Sequence, residues 1–319
     1  MQFSVIIPAK NEAANIGRCL DSINQVTWDK NSYEVIVVDN GSTDQTVEIA
    51  VKKGARVFIR PELTISGLRN FGAEQASGEI LVFIDADCTV FTSWLVKASA
   101  YLMRKDVACF GSPPIVPEDG SWIPKAWFAV RKKRADLCET DWLESMNMFV
   151  RRDAFAASGG FDEALITCED YDLSVRLQKY GTIISDSSIV AVHHGEAATV
   201  GHFFRKELWR GKSNFSGMMQ HGLTLSEIPS LIAPSLHCVL WICWLISSLT
   251  GISVVAVVMS MLLLIWQVFL LLACLRKLRP QLSVTSLLQL LFLLNIYLFA
   301  RGAGVFSSGR RSGTPQCVA

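Results

Sequence analysis

The sequence lacks several features that mark common classes of protein. Its 30 Lys and Arg nearly balance 29 Asp and Glu over 319 residues, so no excess of positive charge favours a nucleic-acid partner. No glycine-rich phosphate loop of the GxGxxG or GxxxxGK type follows an apolar run, so a bound nucleotide diphosphate would need a cation to neutralise it. The 9 cysteines are odd in number and include no CxxC pair, which is typical of free thiols in a reducing compartment. The start of the chain, MQFSVIIPAK, has no charged segment before a long apolar run, so no signal peptide is predicted.

Charged residues are concentrated in the first part of the chain. Residues 1–200 have the composition of a soluble α/β domain, whereas from Ile228 onward charges almost vanish. The runs 231–249 and 252–275 contain no Asp, Glu, Lys or Arg, and each is close to the roughly 20 residues that cross a bilayer. Basic residues flank this pair and predict that both of its ends are cytoplasmic: Arg205, Lys206, Arg210 and Lys212 before it, and Arg276, Lys277 and Arg279 after it.

A third apolar run, 282–300, leaves two possibilities open. It is long enough to span, but spanning would carry Arg301, Arg310 and Arg311 to the outside, against the positive-inside rule. The alternative is a re-entrant or interfacial segment. The sequence therefore predicts two or three transmembrane helices within residues 229–319.

In the first domain, apolar strands alternate with segments of helical periodicity. This alternation predicts a mostly parallel sheet with helices on both faces, in which ligands bind beyond the carboxyl ends of the strands. Three predicted strands end in polar side chains, which should converge on one crevice: Asn11 with Glu12, Asp39 with Asn40, and Asp85 with Asp87.

The stretch EILVFIDADCTV ends a buried strand on two carboxylates, Asp85 and Asp87. On an extended chain they would point to opposite faces, but after a turn both can approach a hard divalent cation shared with substrate phosphates. The alternative is structural: Asp85 begins a turn and Asp87 caps the next helix.

A second acidic cluster lies in CEDYDLSVRL, where Glu169, Asp170 and Asp172 begin a predicted helix. Acids in a first helical turn also favour the helix dipole, so a simple cap is one interpretation. The other is catalytic, because a reaction in which a hydroxyl group attacks needs a base that removes the hydroxyl proton.

Four blocks in order resemble glycosyltransferase family 2, whose members have the GT-A fold: SVIIPAKNEAANIGRCLDSI, EVIVVDNGSTDQT, GLRNFGAEQASGEILVFIDADC and GGFDEALITCEDYDLSVRLQKYG. The resemblance covers about residues 2–195. It implies a nucleotide-diphosphosugar-binding domain and an enzyme. One departure is Asn40, where the family commonly has a second aspartate after Asp39.

The resemblance assigns roles residue by residue. It implies that the nucleoside lies against Pro8, Ala9, Asn11 and Glu12, that Asp39 contacts the base, and that Arg69 lies near the diphosphate. Asp85 and Asp87 would hold the ribose and the metal, Mg²⁺ or Mn²⁺, and Asp170 of the pair with Glu169 would act as the base of an inverting displacement. A histidine near residue 194 can complete the metal shell in this family, and His194 is favoured over His193.

Two stretches combine aromatic and basic residues, GHFFRKELWRGK and SWIPKAWFAVRKKR. Such amphipathic helices lie in the headgroup region of a membrane, although a solvated basic face is the alternative. The run Arg131–Arg134 leads to the hypothesis that these residues hold an anionic, lipid-linked acceptor. No QxxRW block of the processive polysaccharide synthases follows the second acidic cluster, which favours transfer of a single sugar.

The sequence predicts a cytosolic GT-A catalytic domain over 1–200, an amphipathic interfacial segment over 201–228 and a membrane region over 229–319. The expected protein is a multi-pass enzyme of the cell (inner or plasma) membrane. It would transfer one sugar from a UDP- or GDP-sugar to a lipid-linked or other membrane acceptor. Two alternatives stay open: transfer to a polyprenyl phosphate, and a non-catalytic membrane sensor of nucleotide sugars.

Overall fold

The structure is a computed structural model that describes residues 1–129, 136–165, 167–221, 228–278 and 283–307. These residues form two compact units, one made of 1–118 and 136–196, and the other of 119–129 together with the described residues after 196.

The first unit contains all the strands of the described chain and most of its shorter helices. The strands are β1 (Phe3–Ala9), β2 (Tyr33–Asp39), β3 (Arg56–Ile59), β4 (Ile80–Phe83), β5 (Cys88–Val90), β6 (Val107–Gly111), β7 (Leu137–Glu139), β8 (Met148–Arg151), β9 (Thr182–Asp186) and β10 (Ala191–His193). The helices are α1 (Ile16–Asn24), α2 (Thr46–Lys52), α3 (Ile65–Gln75), α4 (Trp94–Ala98), α6 (Arg152–Ser158) and α7 (Glu169–Leu177). The intervening helix α5 (Trp122–Phe128) belongs to the second unit.

Eight strands form one mixed, mostly parallel sheet in the order β3-β2-β1-β4-β8-β6-β9-β7. Strands β3, β2, β1 and β4 run parallel to their neighbours, and β8 joins antiparallel to β4. The predicted α/β class with a mostly parallel sheet is confirmed. A separate two-stranded sheet pairs β5 with β10 in antiparallel register, with His193 opposite Cys88.

The central strands of the sheet are buried on both faces, which explains why they read as continuous apolar runs rather than alternating ones. Along β1, Phe3, Val5 and Ile7 enter one hydrophobic cluster, while Ile6 enters the cluster on the other face. This double burial fixes the central strands, so their carboxyl ends present loop residues at a defined edge.

The second unit contains α5 and four long helices, α8 (Val200–His221), α9 (Ile228–Leu249), α10 (Ser253–Leu278) and α11 (Val284–Ser307). Three segments are long and apolar enough to cross a membrane: Ile232–Leu249, Ser253–Lys277 and Val284–Val305. Most of the middle segment is exposed, as Val254, Leu264 and Ile265 illustrate. A surface of this kind suits lipid rather than water.

Polar side chains join the apolar helices to one another. Gln267 of α10 and Asn295 of α11 exchange two side-chain hydrogen bonds of 2.9 and 3.2 Å. The indole N–H of Trp266 donates to Nδ1 of the fully buried His237 on α9 at 3.0 Å. Interhelical hydrogen bonds of this type hold helices together where no hydrophobic effect acts between them.

Candidate active site

The loops that follow β1 and β2 are tied together by hydrogen bonds at the carboxyl edge of the sheet. The backbone N–H of Asn11 donates to Ser42 Oγ at 2.8 Å, and the N–H of Thr43 donates to Asn11 Oδ1 at 2.9 Å. Asn11 has a φ of 54°, one of two positive values among non-glycine residues of the described chain. Such a backbone is costly and is held only when its surroundings require it.

Asp39, at the end of β2, is fully buried and accepts hydrogen bonds from the N–H and hydroxyl of Ser42. The register of the parallel strands sets it beside Ala9, while Pro8 lies opposite Val38. The residues that were expected to line the nucleoside therefore lie together at the ends of β1 and β2. Their role in binding remains a prediction.

The chain turns after β4, which both interpretations of the acidic pair required. The N–H of Cys88 donates to the carbonyl of Asp85 at 3.1 Å, and the new strand β5 begins at Cys88. The two carboxylates then point to different partners. Asp85 contacts Arg69, whereas Asp87 contacts His193.

Arg69, on α3, is only 3 % exposed and bridges two acids that are far apart in the sequence. It donates to Asp85 Oδ1 at 3.0 Å and to Glu169 Oε1 at 2.9 Å. Burial by itself lowers the pKa of Arg69, but the charges of Asp85 and Glu169 outweigh it and raise the pKa above its usual value. The guanidinium therefore stays charged and joins the two acidic clusters into one site.

Asp170 follows Glu169 in the first turn of α7. Its Oδ1 accepts from the N–H of Tyr171 at 2.8 Å, and the N–H of Ser145 lies 3.4 Å from its Oδ2. Burial and then the negative charge of Glu169 raise the pKa of Asp170 to about 7, against the opposing effects of the Tyr171 N–H and Arg69. A carboxylate with a pKa near neutrality suits general-base catalysis.

The residue before α7, Cys168, has the second positive φ of a non-glycine residue, 64°. Both such residues of the described chain thus lie next to the predicted acidic or nucleoside-binding segments. This placement of strained backbone supports a functional site here, because strain is most often retained where function needs it.

Glu12 lies within electrostatic reach of the acids that follow β4. Burial raises the pKa of Glu12, a hydrogen bond from Asn15 lowers it, and the charges of Asp87, Asp85 and Asp44 raise it further. Glu12 therefore lies near Asp85 and Asp87. Ser42 joins Asn11 to Asp39, so the three polar strand ends predicted from the sequence lie near one another.

The histidine beside Asp87 is His193. Its Nε2 lies 3.1 Å from Asp87 Oδ2 and its Nδ1 lies 3.2 Å from Glu196 Oε1. In the described residues, Asp87, Cys88 and His193 form a group whose possible ligand atoms lie within 4.8 Å of one another. His194, which was favoured from the sequence, has its Nε2 2.9 Å from Thr89 Oγ1, so the imidazole whose contact with Asp87 is seen is that of His193, and the role of His194 stays a prediction. The antiparallel register of β5 and β10 decides this, because it sets His193 opposite Cys88.

Burial by itself lowers the pKa of His193, but hydrogen bonds to Asp87 and Glu196 raise it to about 9. Positive charge is therefore favoured between these two carboxylates. Gly195 lies against them: a Cβ at this position would fall 1.8 Å from Asp87 Oδ2.

The basic residues Arg131–Arg134 lie outside the described residues. Their role in holding an anionic, lipid-linked acceptor therefore stays a prediction. The contact between Arg69 and Glu169 was missed by the sequence analysis, which placed Arg69 near a diphosphate. Its only sequence signal is the apolar periodicity of α3, whose buried face includes Leu68, Arg69 and Ala73.

Comparisons with known proteins agree with this architecture. The family Glycosyl transferase family 2 matches residues 4–158. Glycosyltransferase AglE of Haloferax volcanii is 30% identical over 238 residues, which cover 72% of this chain and 78% of AglE. The chain therefore belongs to glycosyltransferase family 2, and it is a glycosyltransferase.

Two further similarities extend this result. The beta-monoglucosyldiacylglycerol synthase of Nostoc sp. is 27% identical over 192 residues, which cover 54% of this chain and 40% of the synthase. The mannosyltransferase PcManGT of Pyrobaculum calidifontis, solved with GDP-Man and Mn²⁺, matches in structure with a TM-score of 0.65 and 18% identity, over 97% of this chain and 88% of that one. The GT-A fold expected from the sequence is thereby confirmed.

Proposed function

We propose that this glycosyltransferase moves a single sugar from a nucleotide diphosphosugar to an acceptor at the membrane, with inversion at the anomeric carbon. The observation that carries the proposal is the contact of Arg69 with both Asp85 and Glu169. It brings the acids expected to face the donor next to the acid pair expected to act on the acceptor.

Asp170 acts as the general base of the transfer. It takes the proton of an acceptor hydroxyl, and the oxygen then forms a bond to the anomeric carbon of the donor sugar. The bond from that carbon to the diphosphate oxygen breaks, and its electron pair leaves with the nucleoside diphosphate. Because the acceptor attacks from the face opposite the leaving group, one displacement inverts the configuration.

The donor lies at the ends of β1 and β2, where Asp39 and Asn11 hold the loops in place. GDP-Man in PcManGT supports a nucleotide sugar as donor. A UDP- or GDP-sugar is the expected substrate class.

The site also fits a divalent cation, Mg²⁺ or Mn²⁺, held by Asp87 and His193. An acid and a neutral imidazole are ligands that such a cation accepts, so the cation would take the place of the proton that His193 holds toward Asp87. Burial raises the pKa of the Cys88 thiol, and a protonated thiol is a poor ligand for a hard cation. Glu196, whose Oε1 lies 3.2 Å from Nδ1 of His193, would orient the ring. When bound, the cation would supply positive charge for the leaving diphosphate. Asp85 is paired with Arg69, so we expect it to contribute to binding of the donor rather than to join Asp87 and His193 as a cation ligand.

The acceptor is proposed to be a lipid or glycolipid of the cell membrane, and the catalytic unit to lie on the cytoplasmic side. Three helices long and apolar enough to cross a membrane support this location. The name of the Nostoc relative, a glucosyldiacylglycerol synthase, supports a lipid as the acceptor class.

The test is release of nucleoside diphosphate from a panel of UDP-, GDP- and dTDP-sugars by the purified protein in membrane lipid extract. We expect release from one donor, with loss of activity on adding chelator and in Asp87→Ala and Asp170→Asn. The anomeric configuration of the product, determined by NMR, distinguishes inversion from retention. Donor binding without release from any donor would contradict the proposal.

A further inference from the structure

An aromatic pair outside the two hydrophobic clusters of the catalytic unit borders Asp170. Trp142 and Tyr171 meet edge to face, with ring centroids 6.2 Å apart and an interplanar angle of 72°. Tyr171 is 51 % exposed and Trp142 is partly exposed, although large aromatic rings gain most when buried. Neither ring belongs to the clusters that form the core of this unit.

The two rings belong to the two segments whose backbone N–H groups contact the carboxylate of Asp170. Tyr171 follows Asp170 directly, and its backbone N–H donates to Asp170 Oδ1. Trp142 lies three residues before Ser145, whose N–H approaches the other oxygen of Asp170. Each segment that holds the carboxylate of Asp170 thus carries one ring of the pair.

Negative charge dominates the surroundings of Asp170. Glu169 and Glu144 both raise its pKa through their charges, while the nearby Arg69 is paired with Asp85 and Glu169. An acceptor that carries its own negative charge, such as a phosphate monoester, would be repelled at this point. A neutral hydroxyl group would not be.

We propose, on the basis of the proposed function, that the Trp142–Tyr171 pair binds a pyranose ring of the acceptor, so that Asp170 deprotonates a sugar hydroxyl. The C–H groups of a pyranose carry partial positive charge and pack on the electron-rich face of an indole. The acceptor class is then a glycoside, such as a glycolipid, and the phosphate of a polyprenyl phosphate is disfavoured. In the transfer, the sugar O–H bond breaks, its proton passes to Asp170, and its oxygen replaces the diphosphate oxygen on the anomeric carbon.

The experiment compares acceptors with and without a sugar ring, using the full-length protein and the donor identified by the release assay. The ring-bearing probes are n-octyl glucoside, n-octyl mannoside and n-octyl N-acetylglucosaminide, and the ring-free probes are dioleoylglycerol and undecaprenyl phosphate. We expect sugar transfer to at least one octyl glycoside. We expect Trp142→Ala to raise the KM for that glycoside about 10-fold, the upper range for an aromatic contact, while the KM for the donor stays within about twofold.

Conservative variants separate ring packing from general damage to the fold. Trp142→Phe and Tyr171→Phe keep a flat ring. Each should retain most of the wild-type affinity for the glycoside, unlike Trp142→Ala. Tyr180→Ala removes a ring of similar exposure just beyond the other end of α7, and should leave the acceptor KM unchanged.

Two results would overturn the inference. Transfer to undecaprenyl phosphate or dioleoylglycerol and to no glycoside would assign the acceptor to a ring-free class, while the proposed glycosyl transfer would stand. An equal rise in both KM values for Trp142→Ala would show a structural role for the ring. Absence of donor turnover with every probe and with lipid extract would instead contradict the proposed function itself, and this inference with it.

Discussion

Asp170 combines a position in the first turn of α7 with a pKa near neutrality, because it is shielded from water and lies beside Glu169. A general base works only when deprotonated. We therefore expect kcat/KM to fall about tenfold per pH unit below about pH 7. The measurement is the pH profile of wild-type kcat/KM, with donor saturation checked at each pH.

The substitution Asp170→Asn should lower kcat by a factor on the order of 100 or more and remove this acid limb. Asp172→Asn is the matched control, since Asp172 lies in the same turn but is paired with Arg176. A wild-type profile that is flat between about pH 5 and 8 would contradict the role of Asp170 as base.

Arg69 also affects the pKa of Asp170, in the direction opposite to the effect of Glu169. Its positive charge lowers the pKa of Asp170, so Arg69→Gln should shift the acid limb of the pH profile to higher pH and reduce kcat. Arg69→Lys keeps the charge but loses the fork that reaches both Asp85 and Glu169, so it should reduce kcat without moving the limb. If Arg69→Gln leaves the limb unmoved, the arginine does not act on Asp170.

Sequence patterns identify the acids of this site but not their partners. Asp85 and Asp87 follow the end of a strand, and Asp170 lies in the first turn of a helix. The sequence alone is enough to predict these positions. The bridge from Arg69 to Glu169 joins residues 100 positions apart and depends on how α3 and α7 pack on the sheet. The position of the His193 ring beside Asp87 depends likewise on the register of a three-residue strand. Nothing in the sequence predicts that register.

At the scale of elements, the strands β1, β2, β3 and β4 follow directly from their apolar runs, although β3 lies at the edge of the sheet. The three-residue strands β5, β7 and β10 are too short for periodicity to indicate them. Helix α5 lies between the two acidic clusters in the sequence, yet it packs with the second unit, where Trp127 contacts Phe203 and Tyr297. Only tertiary packing reveals that assignment.

Helices α8 and α11 are joined by a buried ion pair. Glu207, 2 % exposed, accepts from Arg210 at 2.7 Å on its own helix and from Arg301 of α11 at 2.9 Å. The cation at the end of the third apolar run, which conflicted with the positive-inside rule, is thus matched by a carboxylate. Gly211 and Gly304 let the two helices approach closely, since a Cβ on Gly304 would lie 2.9 Å from the carbonyl oxygen of Leu208.

Breaking this pair should destabilise the second unit. Glu207→Gln removes the carboxylate that both arginines contact, and we expect a loss on the order of 3 kcal/mol of unfolding free energy. The measurement is thermal unfolding of the purified protein in detergent. The double variant Glu207→Gln/Arg301→Gln should be more stable than Glu207→Gln alone; if it is less stable, the two side chains do not interact as a charge pair.

At the scale of the whole molecule, the described chain consists of an α/β unit and a second unit whose long helices expose many apolar side chains. The basic residues that flank α9 and α10 predict that this pair crosses the membrane as a hairpin with both ends in the cytoplasm. An alkaline phosphatase reporter fused after Gly251 should be active in a bacterial host, because the loop between the two helices lies outside. A reporter fused after Leu278 should be inactive, and the opposite pattern would reverse the proposed orientation.

The glycine beside the predicted cation ligands offers a way to silence the enzyme without altering any of its ionisable groups. Alanine at position 195 would place a methyl carbon 1.8 Å from an oxygen of Asp87, so the carboxylate must move away from His193. We expect Gly195→Ala to lose most activity at wild-type net charge, whereas Gly17→Ala, whose added carbon meets Ile49 at an ordinary 3.4 Å, should retain it. The activity assay in parallel with thermal unfolding checks this, and full activity of Gly195→Ala would show that the Asp87–His193 geometry is dispensable. In living cells, such a variant would separate the effects of lost catalysis from those of a missing membrane protein.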